Sequence, residues 1–236
     1  AKDFERLGLY KNKTYEWGYF LETNNYEIEK LLTEKQQKKK VEIIWVARFI
    51  KWKHPEVVIK LAKELRKENV EFKIKMLGTG KLIEKIKREV TKNDLSGQIE
   101  IVGQVPSSKV KDYMEEADIF IGTSDSQEGW GVVVNEAMNA GCAIVASRRM
   151  GSVPILIKDG ENGYTYDKYP ELKEKVEYLI KNAEARSKLG KNAYLYITQK
   201  WTSTIAANNL IKLFESILYG KEFDVKDGPA SKQTKI

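Results

Sequence analysis

The segment 41–65 reads VEIIWVARFIKWKHPEVVIKLAKEL and contains the first unit of a regular pattern. Its first seven residues are a short run of β-branched and apolar side chains, which is typical of a buried strand. Pro55 suits the first turn of a helix, and apolar residues then recur at helical spacing as far as Leu65. The segment therefore predicts a strand, a loop and a helix in that order.

The same alternation continues along the chain. Further apolar runs predict strands over 72–77, 99–102, 118–122, 142–146 and 164–166. Apolar residues at helical spacing predict helices between them, and the last three helices over 170–182, 185–200 and 205–218. Strands that alternate with helices form βαβ units around a parallel sheet. The prediction is an α/β fold, with a Rossmann-like doubly wound parallel sheet and C-terminal helices over 41–219, in which ligands bind at the carboxyl ends of the strands.

Composition limits the class of protein. The chain has 236 residues, of which 42% are hydrophobic, so it has enough apolar material for a core and global disorder is excluded. No apolar run reaches the roughly 18 residues that a membrane-spanning helix needs. Because Cys142 is the only cysteine, cysteine-rich metal sites and disulfide scaffolds are excluded, and a cytoplasmic setting fits best.

The charge balance is a weak indicator of partners. The 41 basic and 34 acidic residues give a net charge of +7. Such an excess suits phosphate-bearing ligands, nucleic acid or the inner face of a membrane through a peripheral contact, but a solvated lysine-rich surface is the simpler interpretation. Because no nucleic-acid-binding module is recognisable, no nucleic-acid partner is expected.

Two loops after predicted strands carry cations or glycines. Arg48 and Lys53 lie between the first strand and the first helix, where two cations and free N–H groups suit a diphosphate. The loop Gly78-Thr79-Gly80 lacks the third glycine of a dinucleotide fingerprint, because Ile83 stands there, and it lacks the spacing of a P-loop. It is either a turn that brings backbone close to a ligand or only a tight turn, and both interpretations stay open.

The most informative loop is Glu128-Gly-Trp-Gly131, which leads into a predicted helix over 132–140. Gly129 and Gly131 leave backbone free to meet a phosphate or a sugar. Glu136 lies in the helix, where it is expected to face the same cleft. Carboxylates accept hydrogen bonds from vicinal hydroxyl groups, which suits one glutamate to a transferred sugar and the other to a ribose.

Few residues of this chain suit histidine-based or metal-dependent chemistry. His54 is the only histidine, so a histidine-based triad or metal site is hard to build, and a role in a loop or helix cap is expected. No Asp-x-Asp pair occurs, so no divalent cation that bridges carboxylates and a diphosphate is indicated. No metal ion or other cofactor is expected. Trp201 and Cys142 are expected to be buried packing residues.

Taken together, these motifs resemble the C-terminal, nucleotide-sugar-binding half of the family 4 glycosyltransferases, which have the two-domain GT-B fold. The resemblance covers about 41–219 and includes Arg48 and Lys53 after the first strand. It rests above all on the stretch 128–141, which matches the E-x7-E signature of the family in full context. One departure is Pro154-Ile155, where the family often has proline followed by glutamate.

The resemblance implies a role for each motif. Arg48 and Lys53 would hold the donor diphosphate and stabilise the leaving nucleotide, and Glu128 would bind hydroxyl groups of the transferred sugar. These three are the candidate catalytic residues. Glu136 would bind the ribose hydroxyls, and Val105 would lie near the base. The full candidate donor-binding set is Gly78, Val105, Glu128, Gly129, Trp130, Gly131 and Glu136.

The implied activity is that of a retaining, hexosyltransferase-type glycosyltransferase that works without a metal ion. It would transfer a sugar from a nucleotide-diphosphate sugar to a polysaccharide or glycolipid acceptor, with this chain as the donor-binding half. Residues 1–40 would be the inter-domain region or the end of the N-terminal domain, and 220–236 a flexible tail. The N-terminal acceptor domain is missing and would act in cis or in trans, so the isolated chain is expected to be incomplete for catalysis.

Two alternatives belong to other classes. The chain could be a non-catalytic nucleotide-sugar-binding module or a subunit of a split transferase. Adding a complementary N-terminal domain and measuring transferase activity would distinguish these possibilities. A nicotinamide- or flavin-dependent Rossmann enzyme is disfavoured by the incomplete glycine fingerprint at 78–80.

Overall fold

A computed structural model gives the structure of residue 7 and of residues 13–68 and 70–232, in which strands and helices alternate. The strands are β1 (Val41–Val46), β2 (Phe72–Leu77), β3 (Ile99–Gly103), β4 (Ile119–Gly122), β5 (Ala143–Ser147) and β6 (Tyr164–Tyr166). The helices are α1 (Ile28–Gln36), α2 (Pro55–Lys67), α3 (Ile83–Lys92), α4 (Ser107–Glu116), α5 (Val133–Asn139), α6 (Val153–Leu156), α7 (Tyr169–Lys181), α8 (Ala183–Gln199) and α9 (Ser203–Tyr219).

The six strands form one parallel sheet in the order β3-β2-β1-β4-β5-β6. The chain builds outward from β1 to β3, then crosses to β4 and builds outward in the opposite direction. This confirms the predicted doubly wound, Rossmann-like sheet. The pairing of β1 with β4, here called the seam, joins Ile43 to Ile119 and Ile44 to Phe120. The helices that follow the two strands pack on opposite faces of the sheet, and the crevice at the carboxyl ends of such strands is where open α/β sheets bind ligands.

The sheet is buried on both faces. Ile43 and Trp45 of β1 pack into one apolar cluster, whereas Ile44 packs into a second cluster on the opposite face. This alternation follows from the geometry of a strand, and burial on both faces explains why the predicted strands read as apolar runs. Trp201 and Cys142 are fully buried in the second cluster, which confirms their expected role as packing residues.

The strand bounds agree with the sequence predictions to within a residue or two, but two later segments differ. Val153–Leu156 forms a one-turn helix that was not predicted, and Pro154 has the fixed φ that suits a first helical turn. The predicted flexible tail does not hold for 228–231, which is buried. The backbone N–H of Ala230 donates to the carbonyl of Glu16 at 2.8 Å, and that of Glu16 donates to Ser231 at 2.9 Å.

Residues 13–27, here called the strap, run along the domain in an almost wholly non-regular conformation and lead into α1. Lys35 of α1 is 5% exposed, and its Nζ donates to the carbonyls of Ala117 at 2.6 Å and Ala140 at 2.7 Å. These carbonyls lie at the C-terminal ends of α4 and α5, where a cation is favourable. Burial lowers the pKa of Lys35. Within 13–68 and 70–232, no helix combines the length and the apolar character that crossing a bilayer requires.

Candidate functional site

The loops after β1 and β4 are joined directly at the crevice. The backbone N–H of Asp125 donates to the carbonyl of Trp52 at 3.0 Å. The hydroxyl of Thr123 donates to the carbonyl of Lys53 and accepts from the indole N–H of Trp45 at 2.8 Å. Because Trp45 is itself fully buried in β1, these bonds tie both loops to the core.

Lys53 and Glu128, two of the predicted site residues, meet in this crevice. The Nζ of Lys53 contacts Oε2 of Glu128, and the side chains are 13% and 17% exposed. Burial lowers the pKa of Lys53, and the nearby cation of Arg48 lowers it further. Arg48 is exposed, with its guanidinium carbon 5.6 Å from the centre of the Trp52 ring. Lys53 and Glu128 are thus partly desolvated, a setting in which charge interactions are stronger than in water, and the cation of Arg48 lies nearby at the surface.

Gly78, a candidate donor-binding residue, has a packing reason to be glycine. Its φ is +127°, and a Cβ there would lie 2.0 Å from the carbonyl oxygen of Ala47. The loop after β2 therefore passes so close to the end of β1 that no side chain fits. The sequence left open whether this loop is only a tight turn or also brings backbone close to a ligand. The close approach to Ala47 explains the tight turn without a ligand.

The loop 128–131 is held from behind by the segment that follows β5. The N–H of Gly151 donates to the carbonyl of Glu128 at 3.1 Å, and that of Ser152 donates to Trp130 at 2.9 Å. A Cβ on Gly151 would lie 1.9 Å from the carbonyl oxygen of Gly129. On Gly129 itself a Cβ would meet nothing within 4 Å. No contact within the described structure requires glycine at 129, so the open space beside it is available to a ligand.

Trp130 offers a ligand its backbone but not its side chain. The residue is 9% exposed, and its ring stacks on that of Trp201 with centroids 6.0 Å apart. Its indole N–H donates to Oδ1 of Asn135 at 3.0 Å, and the amide of Asn135 donates to the carbonyl of Tyr19 in the strap. Gly131 has a φ of +85°, and a Cβ there would lie 2.8 Å from the methyl group of Met150. These contacts fix the path of the loop between Glu128 and α5.

Glu136 lies in a separate cavity of about 260 Å³, bounded by α4, α5 and the strap. Ser107, Lys111, Asn24 and Tyr26 also line it. Glu136 reaches solvent, but the walls of the cavity desolvate its carboxyl group and raise its pKa. Glu128 is not among the residues that line this cavity, so the structure does not bring the two glutamates together in one cleft as expected.

Val105 is half-buried in the loop between β3 and α4. It precedes by two residues Ser107, which lines the cavity of Glu136. The loop expected near the base therefore leads directly into the wall of the cavity that holds the expected ribose ligand. Among residues 13–68 and 70–232, no group of three or more histidine, cysteine, aspartate or glutamate side chains is placed to hold a metal ion.

The sequence analysis did not single out Asp125, Asn135 or the polar strap residues. Asp125 is followed by Ser126 and Gln127, and its Oδ1 accepts from the N–H of Gln127 at 2.9 Å. That bond is a local Asx turn, which the Asp-Ser pair could have indicated. The partner across the crevice, His54, is 71 residues away in the chain, and no local signal predicts such a contact.

Comparisons with known proteins agree with this architecture. Residues 28–196 match the family described as "Glycosyl transferases group 1". The amylovoran biosynthesis glycosyltransferase AmsK of Erwinia amylovora is 31% identical over 127 residues, which cover 52% of this chain and 31% of AmsK. The chain spans about half or less of the length of the curated relatives that it matches.

Two solved structures share the fold. Anabaena HepE, solved in complex with UDP and glucose, aligns with a TM-score of 0.69 and 18% identity, covering 91% of this chain and 60% of HepE. The C-terminal domain of the group 1 glycosyl transferase LpcC from Francisella tularensis aligns with a TM-score of 0.63 and 23% identity. That alignment covers 77% of this chain and 96% of the LpcC domain.

Proposed function

This chain belongs to the glycosyl transferases group 1 family, and we propose that it is the part of such an enzyme that binds a nucleotide-diphosphate sugar. The observation that carries the proposal is the crevice at the seam. Arg48 and Lys53 supply cations, Glu128 supplies a carboxylate, and Gly129 leaves space beside exposed backbone. Cations suit a diphosphate, and carboxylate and backbone groups suit sugar hydroxyls.

In the proposed complex, donor binding exchanges the partners of Lys53. The ammonium leaves Glu128 for the diphosphate, where it and Arg48 balance the charge that develops on the leaving nucleotide. The carboxylate of Glu128 is then free to accept hydrogen bonds from the sugar hydroxyls. Backbone from Gly129 to Gly131 lines the sugar, and Gly78 contributes the shape of the neighbouring loop.

The nucleoside is proposed to occupy the cavity beside α5. Glu136 accepts from the ribose hydroxyls, and the base lies toward Val105. A cavity of about 260 Å³ is close to the lower end of the range of ligand pockets, which begins at about 300 Å³. Because HepE was solved with UDP and glucose, UDP-glucose is the first donor to test.

We propose that the whole enzyme transfers a hexose with retention of configuration and without a metal ion. AmsK is named for the biosynthesis of amylovoran, which supports a polysaccharide acceptor, and a glycolipid acceptor is the related alternative. The similarity to an isolated C-terminal domain supports the assignment of this chain to the donor-binding half. A second domain would then carry the acceptor site and complete the cleft.

A thermal-shift panel tests the donor site. UDP, GDP, ADP, CMP and NAD are each added at millimolar concentration to the chain, to Glu136→Ala and to Glu84→Ala, which alters an exposed residue of α3. A ligand at about a hundred times its Kd stabilises by roughly 2.7 kcal/mol. We expect one nucleoside diphosphate to shift the wild type and the α3 control, and to shift Glu136→Ala less. A shift with NAD alone, or equal shifts in all three proteins, would contradict the proposal.

A further inference from the structure

The only histidine of the chain lies between two carboxylates at the crevice. Its Nδ1 is 2.9 Å from Oε1 of Glu56, and its Nε2 is 3.1 Å from Oδ2 of Asp125. A carboxylate only accepts hydrogen bonds, so each ring nitrogen of His54 must donate, and an imidazole that donates from both nitrogens is protonated. Glu56 belongs to the first turn of α2, whereas Asp125 belongs to the loop after β4. The imidazolium therefore joins the two sides of the crevice.

The backbone of His54 also has an unusual conformation. With φ of 48° and ψ of 52°, it lies in the left-handed region, which a residue with a Cβ rarely adopts. This conformation turns the chain from a 3₁₀ helix at Lys51–Lys53 into α2. Strain of this kind persists only where surrounding contacts hold it. Here the two carboxylates hold the ring, and Lys53 is the residue immediately before it.

Two charged groups act on the imidazole ring, namely Glu56 from α2 and Asp125 from the loop after β4. Lys53, the residue before His54, interacts with the same Asp125. Partial burial alone would lower the pKa of His54, but the bonds to Glu56 and Asp125 outweigh it and raise the pKa above its ordinary value. Two carboxylates around one ring thus favour the charged form.

We propose that His54 is a positioning residue: as an imidazolium it locks the loop after β1 onto the loop after β4, sets Lys53 in place for the donor diphosphate and makes donor binding depend on pH. This inference rests on the proposed role of Lys53 in holding the diphosphate. Because the folded protein raises the pKa, the lock is complete below the ordinary value of about 6.5. It is lost as the pH rises through the pKa of the folded state.

The charge state can be measured without a donor. Since His54 is the only histidine, a single imidazole resonance in an NMR titration reports it alone. We expect a pKa above about 6.5 in the wild type, a lower value in Asp125→Asn and in Glu56→Gln, and no change in Glu84→Gln. Titration at or below about 6.5 in the wild type would overturn the proposal.

The effect on donor binding requires a matched variant. His54→Asn keeps a residue that tolerates the left-handed conformation but removes the charge. In calorimetric titrations with UDP-glucose, whose diphosphate does not titrate near neutral pH, we expect wild-type affinity to fall about tenfold from about pH 6 to about pH 8.5. The variant should bind weakly and equally at both values. Glu136→Gln should bind weakly while keeping the wild-type pH dependence. The same pH dependence in wild type and His54→Asn would overturn the proposal.

Failure of the proposed donor function gives a different result. If UDP-glucose does not bind the wild type at any pH, the donor assignment fails. Amide hydrogen exchange then tests separately whether His54 holds the two loops together. The N–H of Asp125 donates to Trp52 across the crevice at 3.0 Å. At about pH 6 we expect this amide to exchange several-fold more slowly in the wild type than in His54→Asn. Equal exchange rates would show that His54 does not lock the loops.

Discussion

The ammonium group of Lys53 contacts the carboxylate of Glu128 across the crevice between the loops that follow β1 and β4. These two of the three predicted catalytic residues thus neutralise each other. A diphosphate that takes Lys53 as its partner must first separate this pair, and the separation weakens its binding. The pair also keeps either charge from being buried alone, which would be costly.

Glu128→Gln is therefore expected to bind UDP more tightly than the wild type, by roughly threefold to tenfold, because Lys53 no longer needs to leave a carboxylate. Sugar transfer by the complete enzyme should fall, since the neutral amide oxygen accepts hydrogen bonds from the sugar hydroxyls less strongly than the carboxylate does. Lys53→Gln should weaken UDP binding by at least about tenfold. Calorimetry with UDP measures both, with Glu84→Gln as the control. Weaker UDP binding by Glu128→Gln would contradict the exchange of partners.

Gly129, within the loop 128–131, and Gly151, which packs behind that loop, should differ in their response to alanine. In Gly151→Ala the new Cβ would lie 1.9 Å from the carbonyl of Gly129, and we expect a loss of about 2 kcal/mol in the free energy of unfolding. In Gly129→Ala the Cβ meets nothing within 4 Å, so stability should stay within about 0.5 kcal/mol of wild type.

The same Gly129→Ala protein should bind UDP-glucose more weakly than wild type while binding UDP normally, because the methyl group enters the proposed sugar space. Urea denaturation measures the stability of both glycine variants, and calorimetry measures the affinity of Gly129→Ala for UDP-glucose and for UDP. Normal UDP-glucose affinity in Gly129→Ala would place the sugar elsewhere.

Glu136 should control selectivity for the ribose. Hydrogen bonds to a charged group contribute about 1.5–3 kcal/mol, so wild type should prefer UDP over 2′,3′-dideoxy-UDP by at least about tenfold. In Glu136→Ala this preference should disappear, because the variant lacks the carboxylate that accepts from the hydroxyls. Comparing the two nucleotides in the two proteins isolates that interaction from general loss of affinity. An undiminished preference in the variant would assign the ribose to other residues.

Lys35 should make stability depend on pH in the alkaline range. Burial lowers its pKa in the folded state, so between the folded and the unfolded values only the unfolded chain holds the proton. The free energy of unfolding then rises with pH over that interval. Lys35→Met should lack this rise and lose about 2 kcal/mol near neutral pH, since the carbonyls of Ala117 and Ala140 lose a donor. Urea denaturation at several pH values between the folded and unfolded pKa values of Lys35 measures the free energy of unfolding. The exposed residue Lys39 provides the control variant Lys39→Met. A parallel pH dependence in both variants would contradict the assignment.

Much of the fold could be predicted because its determinants are local. The strand β1 and the helix α2 follow from apolar runs and from the position of Pro55, which need no knowledge of distant residues. The packing of 228–231 against Glu16 was missed because it depends on a contact between distant parts of the chain. A polar composition predicted a flexible segment, but tertiary contacts determined the outcome.

The candidate site was predictable in its parts but not in its pairing. Lys53 and Glu128 each follow a predicted strand, and parallel strands bring their carboxyl ends to one edge. The direct contact between them, and the place of Glu136 in a cavity shared with the strap, depend on side-chain packing. The bridge from His54 to Asp125 needs a left-handed residue, which no spacing rule anticipates at a histidine.

The seam has a consequence for how the domain unfolds. β1 pairs with β4 at two positions, whereas it pairs with β2 at six. The two halves of the sheet are therefore joined by few strand contacts. The contacts of Asp125 with Trp52 and His54 at the crevice add to that pairing. Such halves can act as separate cooperative units that open at different free energies. A ligand in the crevice would cross-link them, so occupancy should raise the cost of partial opening and make the two units unfold as one.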